Sequence, residues 1–394
     1  MTSTLLQGIS ELVTNDPALG ATPLGLITDA GLVLQDGRVV WVGAGRSAPA
    51  ADSAVDLGGR AVLPGWVDSH SHVIYAGDRS AEFAARMAGA PYRAGGMRVT
   101  IEATRAVDDQ TLLRTARRHR AEMLLGGTTC AETKTGYGLT VHDERRAAAT
   151  ARAAGFEEIT YLGAHVVPAE YAKDPDGYID LVCGPMLDAV AGDVGWVDVF
   201  CEDGAFDEAQ SRRVLAAGQR KGLGLRVHGN QLGPGPGVRI AVDLGAASVD
   251  HCTHLTPADM DLLAVSSTVA TLLPACDLST RQPAAPGRAL LDAGARVALA
   301  SNCNPGSSYT SSMNLVVALA VLQCGLSTTE AVHAATAGGA AALRRTDVGH
   351  LAPGARADIH VLDAPSHAYL AYRVGMPLTY RVFRHGEAVP APRS

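Results

Sequence analysis

Apolar and polar positions change rhythm twice along the chain. Residues 26–34 form an apolar run interrupted by Thr28-Asp29; Gln35-Asp36-Gly37-Arg38 then breaks it, and residues 39–42 return as a second run ending at Gly43. An Asp-Gly pair between two β-rich runs predicts a hairpin. Residues 46–52 read as an alanine-rich connection and Asp56-Leu57-Gly58-Gly59-Arg60 as a further turn. The local pattern up to residue 63 is that of a small all-β region.

From Ala61 short β-like runs alternate with alanine-rich helical ones. Helices are predicted over 107–125, 143–154, 208–221, 259–263, 288–292 and 313–322. Strands are predicted over 158–165, 196–202, 223–228, 247–252, 269–273 and 297–301. Such alternation implies a parallel sheet covered by helices. Periodicity does not separate a closed barrel from a doubly wound sheet. The polar residues favour the barrel: His165, His228, His251 and Asn302 all fall at or just after strand ends, where a barrel gathers its functional groups. After Arg345 the β character returns, at 359–362 and 380–383. The expected architecture is an α/β (β/α)8 TIM-type barrel over 64–345, with a small composite β-sandwich domain built from 1–63 and 346–394.

Composition narrows the class. The chain has 394 residues, 47% of them hydrophobic and 19% charged, which is enough to bury a large core. Lys plus Arg is 33 against 40 Asp plus Glu, a net charge of −7, which argues against a general nucleic-acid binder. Seven scattered cysteines have no paired spacing, so neither a disulfide framework nor a cysteine-only zinc site is expected. No apolar run approaches the roughly 18 residues that span a bilayer. The first residues lack a basic region followed by an apolar stretch, so no membrane partner and a cytoplasmic location are expected.

The sharpest chemical signal is Pro64-Gly65-Trp66-Val67-Asp68-Ser69-His70-Ser71-His72. Residues two apart on a strand face the same side, so His70 and His72 can reach one metal ion through ring nitrogens about 2 Å away. A lone His-x-His is common by chance and is more often two satisfied polar histidines. Three further strand-end histidines (His165, His228 and His251) shift the balance toward a metal site. No Gly-x-Ser-x-Gly elbow and no phosphate-cradling glycine loop competes with it.

These stretches carry a resemblance. PGWVDSHSHVIYAGDRSAEF (64–83), TTCAETKTGYGL (128–139), YLGAHVVPAEY (161–171) and NPGSSYTSSM (304–313) resemble the amidohydrolase superfamily and, within it, the imidazolonepropionase family. The His-x-His segment marks only the superfamily; the other stretches together are far more specific, and the likeness spans essentially the whole chain. The resemblance implies hydrolysis of the lactam ring of 4-imidazolone-5-propanoate to N-formimino-L-glutamate. It implies one divalent ion, zinc or iron, held by His70, His72 and His228, with position 302 as a further ligand. Arg79 follows the histidines at the family's spacing for the residue that grips the propionate. Tyr92, Tyr137, His165, Asn304, Gly306 and Ser307 correspond to substrate-contacting positions, and His251 and Gln231 to groups near the scissile carbonyl. Glutamine does not titrate, so Gln231 can act only by hydrogen bonding. Lys134 sits in the family's loop context rather than that of a carboxylated lysine bridging two metals. A homodimer is the expectation from the superfamily.

One position departs from the family. Its pattern after the last barrel strand is Ser/Thr-Asp-x-Asn-Pro-Gly, whereas this chain reads Ser301-Asn302-Cys303-Asn304-Pro305-Gly306. Asparagine has the shape of aspartate and offers a carbonyl oxygen, but it carries no charge and is not a useful base. Asn230 likewise stands where many relatives carry an acidic residue. Four readings stay open from the residues: an introduced substitution in an ordinary hydrolase; a natural branch that hydrolyses slowly or uses His251 as base; a diverged enzyme acting on a related acidic nitrogen heterocycle, by non-hydrolytic or metal-independent chemistry; and a non-catalytic small-molecule-binding protein.

Overall fold

In a computed structural model describing residues 2–20, 22–89 and 96–390, the strands are β1 (Ser3–Val13), β2 (Leu26–Gln35), β3 (Arg38–Ala44), β4 (Ser53–Pro64), β5 (Trp66–Asp68), β6 (Thr128–Lys134), β7 (Glu158–Ala164), β8 (Trp196–Cys201), β9 (Gly224–Gly229), β10 (Ser248–His251), β11 (Val269–Leu272), β12 (Val297–Leu299), β13 (Ile359–Leu362), β14 (Thr379–Arg384) and β15 (Glu387–Ala388). They form two sheets. One has the order β15-β14-β13-β4-β1-β2-β3, the other β12-β11-β10-β9-β8-β7-β6-β5.

The chain divides into two compact units. One comprises Met1–Asp68, Ala121–Cys130 and Ser312–Ser394; the other comprises Ser69–Arg120 and Ala131–Ser311. In the first, the expected hairpin joins β2 to β3, with Gln35 opposite Arg38. Asp36 and Gly37 take φ of 50° and 75°, the left-handed pair that matches the twist of the flanking strands. β13 pairs antiparallel with both β4 and β14, so strands from the two ends of the chain share one sheet. Leu6, Leu12, Leu32, Val62, Ile359 and Phe383 meet in its core.

The turn expected at 56–60 is not a turn. β4 runs through it, paired with β1, and the register slips between Gln7 and Ile9. Gly58 and Gly59 take φ of 61° and 76°, and the Asp56 carboxylate accepts from Gly58 N at 2.8 Å. The glycines thus make a bulge inside one long strand instead of ending it.

The second sheet is parallel where its registers are defined, from β6 to β12, and helices follow its strands. It closes on itself just beyond β5 and β12. Ser71 bridges Asn302 in parallel; Asn302 N donates to His70 O at 3.0 Å and His72 N to Asn302 O at 3.0 Å. The fold is therefore a (β/α)8 barrel with a β-sandwich domain drawn from both ends of the chain. Among the described residues, no helix is long and apolar enough to cross a membrane.

Candidate active site

The site is built where the barrel strands end. His70 and His72 continue from β5, His165 follows β7, His228 lies on β9, His251 ends β10 and Asn302 follows β12. All six are buried, none more than 5% exposed. The Nε2 atoms of His70 and His72 lie 3.1 Å apart, and those of His72 and His228 3.2 Å. His251 joins them: one ring nitrogen from each of His70, His228 and His251 falls within 4.8 Å of the others. Sequence reasoning gave His251 a proton-handling role; the structure also brings it within ligand reach.

Carboxylates orient two of these rings from behind. His70 Nδ1 donates to Asp250 Oδ2 at 2.7 Å, and His228 Nδ1 lies 3.0 Å from Asp198 Oδ2. With the His70 Nδ1 proton given to Asp250, its Nε2 presents a lone pair toward the neighbouring Nε2 atoms, an arrangement that favours a cation between them. Two nitrogens bound tetrahedrally to zinc sit about 3.3 Å apart, given metal–nitrogen bonds of about 2 Å. The observed separations match. Burial holds His70, His72 and His251 well below the ordinary imidazole range, so they stay in the neutral form that ligates metal. Asn302 adds a buried Oδ1 with no hydrogen-bond partner among the described residues, while its Nδ2 donates to Ser307 Oγ at 2.9 Å. The donor set fits one divalent ion.

Behind the histidines lies a charged layer that sequence reasoning left unassigned. Lys134 Nζ sits 2.9 Å from both Glu132 Oε1 and Asp198 Oδ2, and 3.8 Å from Asp250 Oδ2, all four side chains being fully buried. Burial opposes its charge, but Asp198 and Glu132 outweigh that and raise it above the usual lysine value. Burial likewise opposes ionisation of Asp198, yet His228 and Lys134 hold it below the carboxylate range. Lys134 is thus an ammonium held by carboxylates, not a carboxylated bridge. The available signal was a charge inside an apolar strand: Asp198 between Val197 and Val199, and Asp250 after Val249.

A pocket opens over this centre, lined by His72, Arg79, His165, His228, Asn302, Asn304 and Ser307, with Gln231 and His251 beside them and Met97, Phe200 and Leu232 as an apolar wall. His165 Nδ1 donates to Gly136 O at 2.9 Å, leaving its Nε2 as an acceptor, and burial lowers this ring to about 3. Tyr137 is buried, its ring 5.2 Å from that of His165. The loop carrying it is pinned by the buried Glu144 carboxylate, which accepts from Gly136 N at 3.0 Å, Gly138 N at 2.9 Å and Leu139 N at 2.8 Å. Gln231 N donates to Glu202 Oε1, and its side-chain amide lies 3.7 Å from Cys276 Sγ. Asn304 Oδ1 accepts from Gly306 N at 2.8 Å, closing a tight loop. Gly306 is required there: a Cβ would stand 2.1 Å from Arg79 Nη1. Tyr92 lies outside the described residues. His254, four residues after the Asp250 carboxylate, pairs instead with Gln282 at 3.1 Å.

Non-glycine residues with left-handed backbone cluster at this face. His251, Cys252, Asn302 and Cys303 have φ of 83°, 56°, 65° and 30°. Such strain persists where surrounding contacts fix a side chain's aim.

A barrel with a histidine cluster at its strand ends is an arrangement shared with amidohydrolases, and the amidohydrolase family model matches residues 235–389. Solved structures agree on the fold. A triazine hydrolase variant superposes with a TM-score of 0.79 at 19% identity, covering 98% of this chain and 94% of that one. An adenosine deaminase from Xanthomonas campestris, with bound zinc, gives 0.71 at 20% identity over 98% and 92%. Within that class the sequence relatives are far nearer. The imidazolonepropionase of Saccharopolyspora erythraea is 65% identical over 393 residues, 99% of each chain, and that of Mycolicibacterium smegmatis 59% over 389 residues, 99% and 98%. The chain belongs to the imidazolonepropionase family.

Proposed function

We propose that the protein hydrolyses the lactam of 4-imidazolone-5-propanoate to N-formimino-L-glutamate. The observation that carries this reading is one pocket holding both a buried guanidinium, Arg79, and a cluster of buried histidines. The substrate has the two matching ends, a carboxylate and a cyclic amide.

His70, His72 and His228, with Asn302 Oδ1 and His251 within reach, would hold a zinc or iron ion. When bound, the ion would polarise the lactam carbonyl and acidify a water. The chain's own residues do the rest. Arg79 holds the propionate through charge-assisted hydrogen bonds. His165, neutral and with only Nε2 free to accept, suits a ring N–H better than a carboxylate. Asn304 and Ser307 border the ring, and the wall of Met97, Phe200 and Leu232 limits water around it. Water adds to the lactam carbonyl carbon, the ring C–N bond breaks, and the departing nitrogen takes a proton. Asn302 cannot accept the water's proton, so the transfer falls to His251, whose Nδ1 has no hydrogen-bond partner among the described residues; the burial that keeps this ring neutral also makes it a weak base. Gln231 orients polar groups near the carbonyl by hydrogen bonding. The diverged-chemistry and binding-only readings have no observation in their favour.

Steady-state hydrolysis of 4-imidazolone-5-propanoate, compared with its uncharged carboxamide, tests this reading. The carboxylate substrate should be turned over with the lower KM, and Arg79→Ala should remove most of the difference. Absence of turnover in metal-loaded protein would overturn the proposal.

A further inference from the structure

Arg79 does not stand alone in its pocket. Its Nε donates to Glu82 Oε2 at 2.8 Å and its Nη2 to Glu82 Oε1 at 2.7 Å, a bidentate pair along one edge of the guanidinium. The Arg79 side chain is 2% exposed and that of Glu82 32%. Arg79 lines the active-site pocket, whereas Glu82 lies on the first turn of the helix Ser80–Met87 and is absent from the pocket wall.

The ion pair lies in a slot cleared by two glycines. A Cβ on Gly306 would stand 2.1 Å from Arg79 Nη1 and 2.3 Å from Cζ. One on Gly96 would stand 2.4 Å from Glu82 Oε2 and 2.5 Å from Arg79 Nη2. Backbone therefore packs against the pair from the loop after the last barrel strand and from the start of the helix Met97–Ala106. Arg86 completes the frame, its Nη1 donating to Gly306 O at 2.9 Å and lying 3.9 Å from Glu82 Oε1.

A guanidinium carries five donors in a rigid plane and can meet carboxylates along two different edges. Glu82 uses the edge made by Nε and Nη2. We infer that Glu82 is a positioning residue: it clamps that edge so that the edge ending in Nη1 is presented to the substrate's carboxylate. This rests on the reading of Arg79 as the propionate anchor. The rival arrangement is a competitor, in which Glu82 mimics the substrate carboxylate and must be displaced. The two make opposite predictions about affinity, because a clamp strengthens binding and a competitor weakens it.

The test uses the full-length, metal-loaded protein with Glu82→Gln and Glu82→Ala. For each, KM and kcat are measured with the imidazolone-propanoate, and calorimetry gives Kd for a propionate-bearing imidazole and its carboxamide. A clamp predicts that Glu82→Ala raises KM and the carboxylate Kd about tenfold, as expected when a donor pair loses its fixed geometry. The carboxamide Kd should move less than about twofold and kcat should stay within about twofold, with Glu82→Gln intermediate because its amide oxygen still accepts one bond. In an Arg79→Ala background, Glu82→Ala should have no further effect. A fall in the carboxylate Kd, or equal losses for both ligands, would overturn the inference. If instead Arg79→Ala alone leaves the preference for carboxylate over carboxamide undiminished, it is the anchor assignment that fails.

Discussion

Replacing Asn302 by aspartate changes one group and one charge at a position that is 1% exposed. The backbone need not move: aspartate tolerates φ of 65° about as well as asparagine, and the bonds to His70 and His72 are made by the main chain. The contact with Ser307 survives too, since a serine hydroxyl that accepts from an amide can turn and donate to a carboxylate. What remains is the charge. In metal-free protein the new carboxylate is buried among neutral imidazoles, and stability should fall by on the order of 1–3 kcal/mol. With the ion present the same carboxylate is paired, metal affinity should rise, and a proton acceptor stands beside the carbonyl. A positioned general base contributes about 10²–10⁴-fold, so hydrolysis should increase at least about 10²-fold. Metal content by elemental analysis, thermal unfolding with and without chelator, and the steady-state rate are measured on both proteins. Full metal in Asn302→Asp without faster hydrolysis refutes the argument, and so does an equally high rate in both.

Two further outcomes follow from buried charge. Lys134→Met leaves Glu132, Asp198 and Asp250 facing one another without their ammonium; chemical denaturation should show a loss of about 3–5 kcal/mol, and folded protein should hold less metal. His360 is buried, its Nε2 2.9 Å from Thr379 Oγ1, and burial lowers it to about 3. The unfolded chain takes up that proton near pH 6.5 and the folded chain does not, so this contribution is full above about 6.5 and lost as pH falls toward 3. Urea unfolding at pH 7 and pH 5 should therefore show a fall in stability that His360→Gln reduces by up to about 2 kcal/mol.

The alternation of strands and helices was readable because each barrel strand is a short apolar run bounded by polar ends; the predicted strand 269–273 and the observed Val269–Leu272 differ by one residue. The histidines were readable for the same reason, since a polar residue at the end of an apolar strand stands out. β1 was not foreseen. Its burial alternates irregularly through Gly8, whose φ of 66° accompanies the register slip against β4. The helices Ser80–Met87 and Met97–Ala106 were missed because each buries only a narrow stripe. The cage around Lys134 depends on residues from β6, β8 and β10, far apart in sequence, and no local pattern pairs them. Glu82 lies within the 64–83 stretch, but its partnership with Arg79 is a matter of which guanidinium edge faces where, and no residue pattern carries that.

The seam between the first and last barrel strands has a consequence for how the site comes into being. His70 and His72 arrive with one margin of the sheet and Asn302 with the other, and the hydrogen bonds that join those margins run through these same three residues. Contacts between the two ends of a long segment form at high cost in loop entropy, so this closure belongs late in folding. A chain with an open seam has most of its sheet and still lacks the full set of proposed ligands. Uptake of an ion by the proposed ligands would therefore gauge completion: a nascent or truncated barrel would bind it weakly, and a bound ion would act as a rivet on the final join, stabilising the closed ring over every partly open one in proportion to how much more tightly it bound there.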